Sequence, residues 1–257
     1  MVCAWSLVIG VANGEPTPKE RLEKSPRHHE WVEIKHGDRV VHAFLVYPEV
    51  SEKATAVVVI HENRGLTDWE RGVADQLAEA GFIAIAPDLL SGSGPGGGKT
   101  SDFPSSDAAR EAIYKLKPDQ VTADLKATTK YVSQLPAANG KVAVAGFCWG
   151  GGQSFRFATN EPKLAASFVF YGTGPDQVDG IQCPVYGFYG GNDNRVNATI
   201  PKSEELMKQA GKRYDPVIYP GAGHGFMRAG ELPDASAENK KGREEGWKRW
   251  REKLSAL

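Results

Sequence analysis

The 257-residue sequence predicts an α/β domain: a mostly parallel sheet covered by helices on both faces, with an antiparallel hairpin at its N-terminal side. Three observations carry that expectation. Short apolar runs such as "TAVVVIHEN", "FIAIAPDLL" and "KVAVAGF" read as strands buried on both faces. Segments with helical spacing of apolar residues alternate with them, the pattern of strand–helix–strand crossovers. Before the first of them, "WVEIKHGDRVVHAFLVYP" reads as two strands around His36-Gly37-Asp38, a hairpin turn signal.

The elements follow in chain order. After the hairpin comes "TAVVVIHEN", then the helical "WERGVADQLAEAG", with Val73, Ala74, Leu77 and Ala80 on one face and Gly81 as its stop. "FIAIAPDLL" is the next strand. In the helix "DQVTADLKATTKYVSQL", Val121, Leu125, Thr128 and Val132 share a face. The strand "KVAVAGF" leads into a helix whose first turn is read as "QSFRFA". "ASFVFYG", "PVYGFYGGND" and "DPVIYPGAG" complete the strands. A closing helix, "GREEGWKRWREKLSAL", puts Trp247, Trp250 and Leu254 on one face as core anchors. No internal repeat or low-complexity linker divides the chain.

Composition bounds the function. Basic and acidic residues nearly cancel, 31 against 32, so neither nucleic acid nor an anionic membrane is an expected partner. Hydrophobic residues make up 40% of the chain, enough to bury a substantial core. The three cysteines match no zinc spacing and cannot all pair; Cys183, before the apolar "PVYGFY", reads as a buried thiol. At the N-terminus, "VCAWSLVIGVANG" has the length of a secretory signal but no basic flank before it, and it is too short to span a bilayer. Export, to a periplasm or beyond, is the expectation, with a cytoplasmic chain as the alternative. The polar "EPTPKERLEKSPRHH" reads as a linker, so residues 1–30 are expected to stand apart from a catalytic domain at 31–257.

In an open parallel sheet, function lies at the carboxyl ends of the strands. Four predicted strand ends carry polar groups. "VVVIHEN" delivers His61, Glu62 and Asn63; "VAVAGFC" delivers Cys148; "YGFYGGNDNRV" delivers Asp193; "IYPGAGHGFMR" delivers His224 and Arg228. Each has a plain reading as a cap, a turn residue or an exposed histidine. Their joint order does not. Nucleophile, then acid, then histidine is the order of the α/β-hydrolase fold, and Cys148 sits where the nucleophile elbow puts its reactive residue. Gly146 and Gly150 remove side chains where strand and helix nearly collide. His224 can take the thiol proton, Asp193 can fix its tautomer, and the backbone N–H groups of Trp149 and Asn63 can form an oxyanion hole.

Taken together, "HENRGL", "APDLL", "GFCWGG", "GGNDNRV" and "GHGFMR" resemble the dienelactone hydrolases, from about Trp31 to Leu254. The resemblance implies a Cys148–His224–Asp193 triad. It also implies that Glu62 takes the thiol proton as substrate binds, and that Arg228 holds a substrate carboxylate and pairs with Glu62 in the free enzyme. One departure stands out. The family's second carboxylate-binding arginine, after the "P-D-L" segment, is missing from "APDLLSGSGPGGGKT"; Arg64 is the candidate replacement, and Tyr171 a further substrate contact. The expected activity is hydrolysis of small esters or lactones through a thioester, with no metal or organic cofactor, by a monomer or small homo-oligomer. The alternatives are a general short-chain carboxylesterase without carboxylate preference and a non-catalytic binding protein of the same fold.

Two motif readings fail on spacing. A phosphate-binding loop ending at Gly98-Lys99-Thr100 needs glycine where Ser93 stands, and His61-Glu62 lacks the second histidine of a zinc protease. The glycine-rich stretch is expected instead to be a mobile loop bordering the active site.

Overall fold

The computed structural model describes residues 16–257. The apolar run expected to direct export lies outside the described residues. Helix α1 (Pro18–Lys24) leads into the hairpin β1 (His29–His36) and β2 (Arg39–Val46), closed by Gly37 at φ 54°. Then follow β3 (Ala54–Ile60), α2 (Asp68–Glu79), β4 (Ile83–Pro87), α3 (Ser106–Ile113), α4 (Pro118–Ser133) and β5 (Ala138–Phe147). The C-terminal half runs through α5 (Trp149–Ala158), β6 (Ala166–Phe170), β7 (Val185–Gly190), α6 (Asn194–Asn197), α7 (Ile200–Gln209), β8 (Tyr214–Tyr219), α8 (Phe226–Ala229) and α9 (Ala237–Ser255).

Eight strands form one sheet in the order β1-β2-β4-β3-β5-β6-β7-β8. β2 pairs antiparallel with both β1 and β4, and every pairing from β4 through β3 to β8 is parallel. The period of two along β3 divides the core. Val57 and Val59 face a layer with Trp69, Val73 and Leu77 of α2 and Trp247, Trp250 and Leu254 of α9. Val58 and Ile60 face the other layer, with Val121, Leu125 and Val132 of α4 and Phe155 of α5. The tryptophans of α9 are therefore core anchors, as their spacing predicts.

The two edges of the sheet are polar or interrupted. β1 exposes Glu30, Glu33 and Lys35; β8 carries Pro216, and its Asp215 is paired by Arg249 and Lys253 of α9.

Two sequence expectations are corrected. The polar stretch read as a linker forms α1, capped by Thr17 and Glu20, and Leu22 is buried in the layer beneath α2. Arg21 pairs with Glu231 at 2.5 Å, while Ser25 and Arg27 bond Asp75 of α2. The helix after β5 starts at Trp149 rather than at Gln153, because the elbow needs helical geometry straight after Cys148.

Candidate active site

Every polar group expected at a strand end lies at the carboxyl edge of the parallel strands. The elbow between β5 and α5 is sterically forced. A Cβ on Gly146 would lie 1.9 Å from the Gly150 carbonyl oxygen, and one on Gly150 would lie 2.4 Å from the carbonyl oxygen of His61. Only bare backbone lets the strand, the helix and the loop after β3 meet this closely. Cys148 at the corner takes φ 55°, a conformation that costs a non-glycine residue of order 1–3 kcal/mol. Tyr171, at the end of β6, also has positive φ, at 41°.

His224, in the turn between β8 and α8, joins Asp193 to Cys148. Its Nδ1 lies 2.5 Å from Asp193 Oδ2 and its Nε2 lies 3.2 Å from Cys148 Sγ. Asp193 is an acceptor, so Nδ1 carries the proton and Nε2 is left to accept from the thiol. The other oxygen of Asp193 accepts from Val196 N–H at the start of α6, which fixes the carboxylate. The Tyr171 ring stands edge-on to the imidazole, 5.1 Å between centroids.

Burial, reinforced by the nearby Glu62 carboxylate, pushes the Cys148 thiol up to about 11; the Trp149 N–H and Arg195 act the other way. At neutral pH the resting sulfur is a thiol. Glu62 is itself buried. It accepts from Arg228 Nε at 2.9 Å and from the Tyr171 hydroxyl at 3.3 Å. Its pKa is nevertheless raised, because burial and the buried Glu70 carboxylate outweigh the guanidinium. Glu70 accepts from the Glu62 backbone N–H at 3.0 Å and so ties the start of α2 to the end of β3.

His61 is fully buried and held neutral by desolvation. Its Nδ1 donates to the Glu62 carbonyl at 2.8 Å, its Nε2 accepts from Leu89 N–H at 3.3 Å, and its ring stacks on Trp149. Fixing the Glu62 carbonyl fixes the Asn63 N–H on the opposite side of the same planar peptide. That N–H has no acceptor among the described residues.

A cavity of about 320 Å³ opens beside Cys148, lined by Trp149, Tyr171, Tyr114, Gln153, Arg156, Arg195, Val196 and residues 172–175. Besides Cys148, sequence reasoning foresaw only Trp149 and Tyr171 among the lining residues, and Arg195, Arg156 and Tyr114 are among those it missed. Arg195 stood inside the quoted "GGNDNRV", two residues after the acid, and that spacing was the available signal. Arg156 stood inside "QSFRFA". Tyr114, whose hydroxyl accepts from the Asn63 side chain, had no local signal.

Two expected substrate contacts do not line this cavity. Arg64 is exposed and does not line the cavity, since buried Gly65 beside it packs on Thr100 and leaves Arg64 outside. Arg228 donates to Glu62 at 2.9 Å, the pairing that the resemblance implies for the free enzyme, and in this state it is not among the cavity's lining residues. Nor does any residue of the glycine-rich stretch line this cavity. Its Thr100 bonds Asp88 and Leu66 N–H, bracing the loop after β3.

A mostly parallel sheet, a cysteine on the strand–helix corner and a histidine held by an aspartate from a later strand define an α/β-hydrolase. Within that class the chain belongs to the dienelactone hydrolase family, whose model matches residues 41–256. The family makes it a hydrolase acting on small molecules. A protein of Methylorubrum extorquens named "Putative carboxymethylenebutenolidase" is 30% identical over 85% of this chain and 77% of its own. One of the same name from Escherichia coli K12 is 29% identical over 75% of this chain and 73% of its own. The crystal structure of a "Putative Dienelactone Hydrolase" from Klebsiella pneumoniae shares the fold, with a TM-score of 0.77 at 22% identity over 90% of this chain and 99% of that one.

Proposed function

We propose that this protein hydrolyses small carboxylic esters or lactones through Cys148, His224 and Asp193. The observation that carries the reading is the continuous Asp193–His224–Cys148 hydrogen-bond relay at the elbow, 2.5 Å and then 3.2 Å long.

The thiol must first lose its proton, to His224 Nε2 or, as the family resemblance implies, to Glu62 once substrate draws Arg228 from it. The sulfur then adds to the ester carbonyl carbon. The resulting oxyanion is received by the Trp149 and Asn63 backbone N–H groups. Collapse breaks the C–O bond, and the alkoxide takes a proton from the imidazolium or, where Glu62 was the acceptor, from its carboxylic acid; in a lactone that alkoxide stays tethered. Water, deprotonated by His224, cleaves the thioester. The products are the free acid and the regenerated thiol.

The test is Cys148→Ala with a panel of short-chain aryl esters and unsaturated lactones. Loss of turnover by about 10³-fold or more in a variant that still unfolds cooperatively is the expected result. Mass spectrometry of the quenched wild-type enzyme should show the acyl group on Cys148. Turnover near the wild-type level in the variant would overturn the mechanism.

A further inference from the structure

Three residues after Arg228 stands Glu231, a carboxylate outside the reaction described above. Its side chain is only 11% exposed. Oε2 accepts from the Trp69 indole N–H at 2.7 Å; Oε1 accepts from Arg21 Nη2 of α1 at 2.5 Å and from Arg243 Nη2 of α9 at 3.4 Å. Its backbone N–H donates to the Arg228 carbonyl at 3.2 Å. Glu231 therefore ties the turn that ends α8 to α1, α2 and α9 at once. Beside it, a Cβ on Gly230 would lie 2.3 Å from the Asn239 carbonyl oxygen, so this turn rests directly on α9.

These bonds close a ring. The Glu231 side chain holds Trp69, and the next residue, Glu70, accepts from the Glu62 backbone N–H. The Glu62 carboxylate accepts from Arg228 Nε, and the Arg228 carbonyl accepts from Glu231 N–H. Trp69, Glu70 and Glu62 are buried, whereas the Arg228 side chain is exposed. A mostly buried carboxylate with two cationic partners and an indole donor is a stiff joint, because leaving any of them unpaired is costly. The buried part of the ring thus fixes where the one exposed guanidinium starts from.

We propose that Glu231 is a positioning residue for thiol activation: acting through the turn after α8, it holds Arg228 within reach of Glu62, and Arg21 of the N-terminal helix locks it there. The proposal rests on the reading of Glu62 as a proton acceptor for Cys148. A carboxylate must be ionised to take that proton. Of the charged groups facing Glu62, Arg228 and His224 favour the ion, while burial and Glu70 oppose it. The Tyr171 hydroxyl and the Cys148 thiol beside it are uncharged at neutral pH. Loosening Arg228 therefore raises the Glu62 pKa and narrows the pH range in which Glu62 can act.

The experiment follows the Glu62 carboxyl carbon by NMR titration of the full chain, its resonance assigned by its absence from Glu62→Gln. Wild type is compared with Glu231→Gln. Removing the Glu231 charge would by itself lower the Glu62 pKa through space; releasing Arg228 raises it, so the sign separates the two effects. A raised Glu62 pKa is the expected result. The acid limb of kcat/KM for 4-nitrophenyl acetate should move to higher pH with it, costing at least about threefold on that limb and less than about twofold on the plateau. Trp69→Phe cuts the same tie without altering any charge and should move both readouts the same way, which keeps the test open if Glu231→Gln does not fold. Ser25→Ala loosens the end of α1 from Asp75 without touching Glu231 and should move neither. A Glu62 titration unmoved or lowered in either folded variant overturns the positioning role, as does an equal rise in Ser25→Ala. A raised titration with an unmoved acid limb overturns instead the part of Glu62 as proton acceptor.

Discussion

Glu62→Gln separates a catalytic carboxylate from a structural one. On the stability side the change is nearly isosteric. The amide oxygen can still accept from Arg228, now without a full charge, and the bond from Tyr171 must reverse, with the amide NH2 donating to the hydroxyl. A hydrogen bond to a charged group contributes roughly 1.5–3 kcal/mol, but the Arg228 side chain is 45% exposed, so about 1 kcal/mol is the better figure. Against this, the variant no longer buries a charge beside Glu70, which together with burial is what raises the Glu62 pKa. The net loss should stay within about 1 kcal/mol, a Tm shift of about 4 °C or less. On the reactive side the two readouts diverge. Glu62 helps hold the thiol up at about 11, so its neutralisation should lower the thiol pKa and speed alkylation by iodoacetamide. Acylation by an ester, followed as the nitrophenolate burst in stopped flow, should fall by about 10²-fold or more if Glu62 receives the proton. Faster alkylation with slower acylation is the signature. A Tm lower by 10 °C or more, with the burst rate per folded molecule retained, would refute the reasoning and make Glu62 a structural partner of Arg228.

Three further outcomes are expected. Iodoacetamide should modify Cys148 slowly at pH 7, with the rate rising about tenfold per pH unit towards a pKa near 11; a plateau already reached at pH 7 would mean a preformed thiolate. A chain beginning at Pro26 should fold but lose roughly 3 kcal/mol, from the burial of Leu22 and the Ser25 and Arg21 contacts, seen as a Tm lower by about 6–12 °C; an unchanged Tm would show that α1 adds nothing. Gly150→Ala should cost more than about 3 kcal/mol or abolish activity, because the methyl group meets two backbone oxygens at 2.4 and 2.5 Å that no side-chain rotation can move.

Much of this architecture was legible because its signals are local. The apolar run of β3, the helical stripe of α2 and the turn at Gly37 each act within a few residues. The elbow was legible for the same reason, since Gly146, Cys148 and Gly150 stand within five positions. What escaped depends on distant partners. α1 is polar in composition, and its place is set by Asp75 and by Glu231, which lies 210 residues beyond Arg21. The start of α5 was hidden by glycines, which argue against a helix by propensity and for one by packing. Arg156 and Arg195 resemble ordinary surface arginines until the fold puts them on one cavity with Cys148. Arg64 shows the converse: close in sequence to Glu62, it is exposed and does not line the cavity beside Cys148.

The polar and interrupted edges of the sheet have a consequence for how copies of this protein meet. An open strand edge is a template on which another chain can add. At one end of this sheet, such an addition would bring Glu30, Glu33 and Lys35 against their own counterparts; at the other, Pro216 offers no N–H and Asp215 is already held by α9. Edge-to-edge growth is therefore opposed at both ends of the sheet.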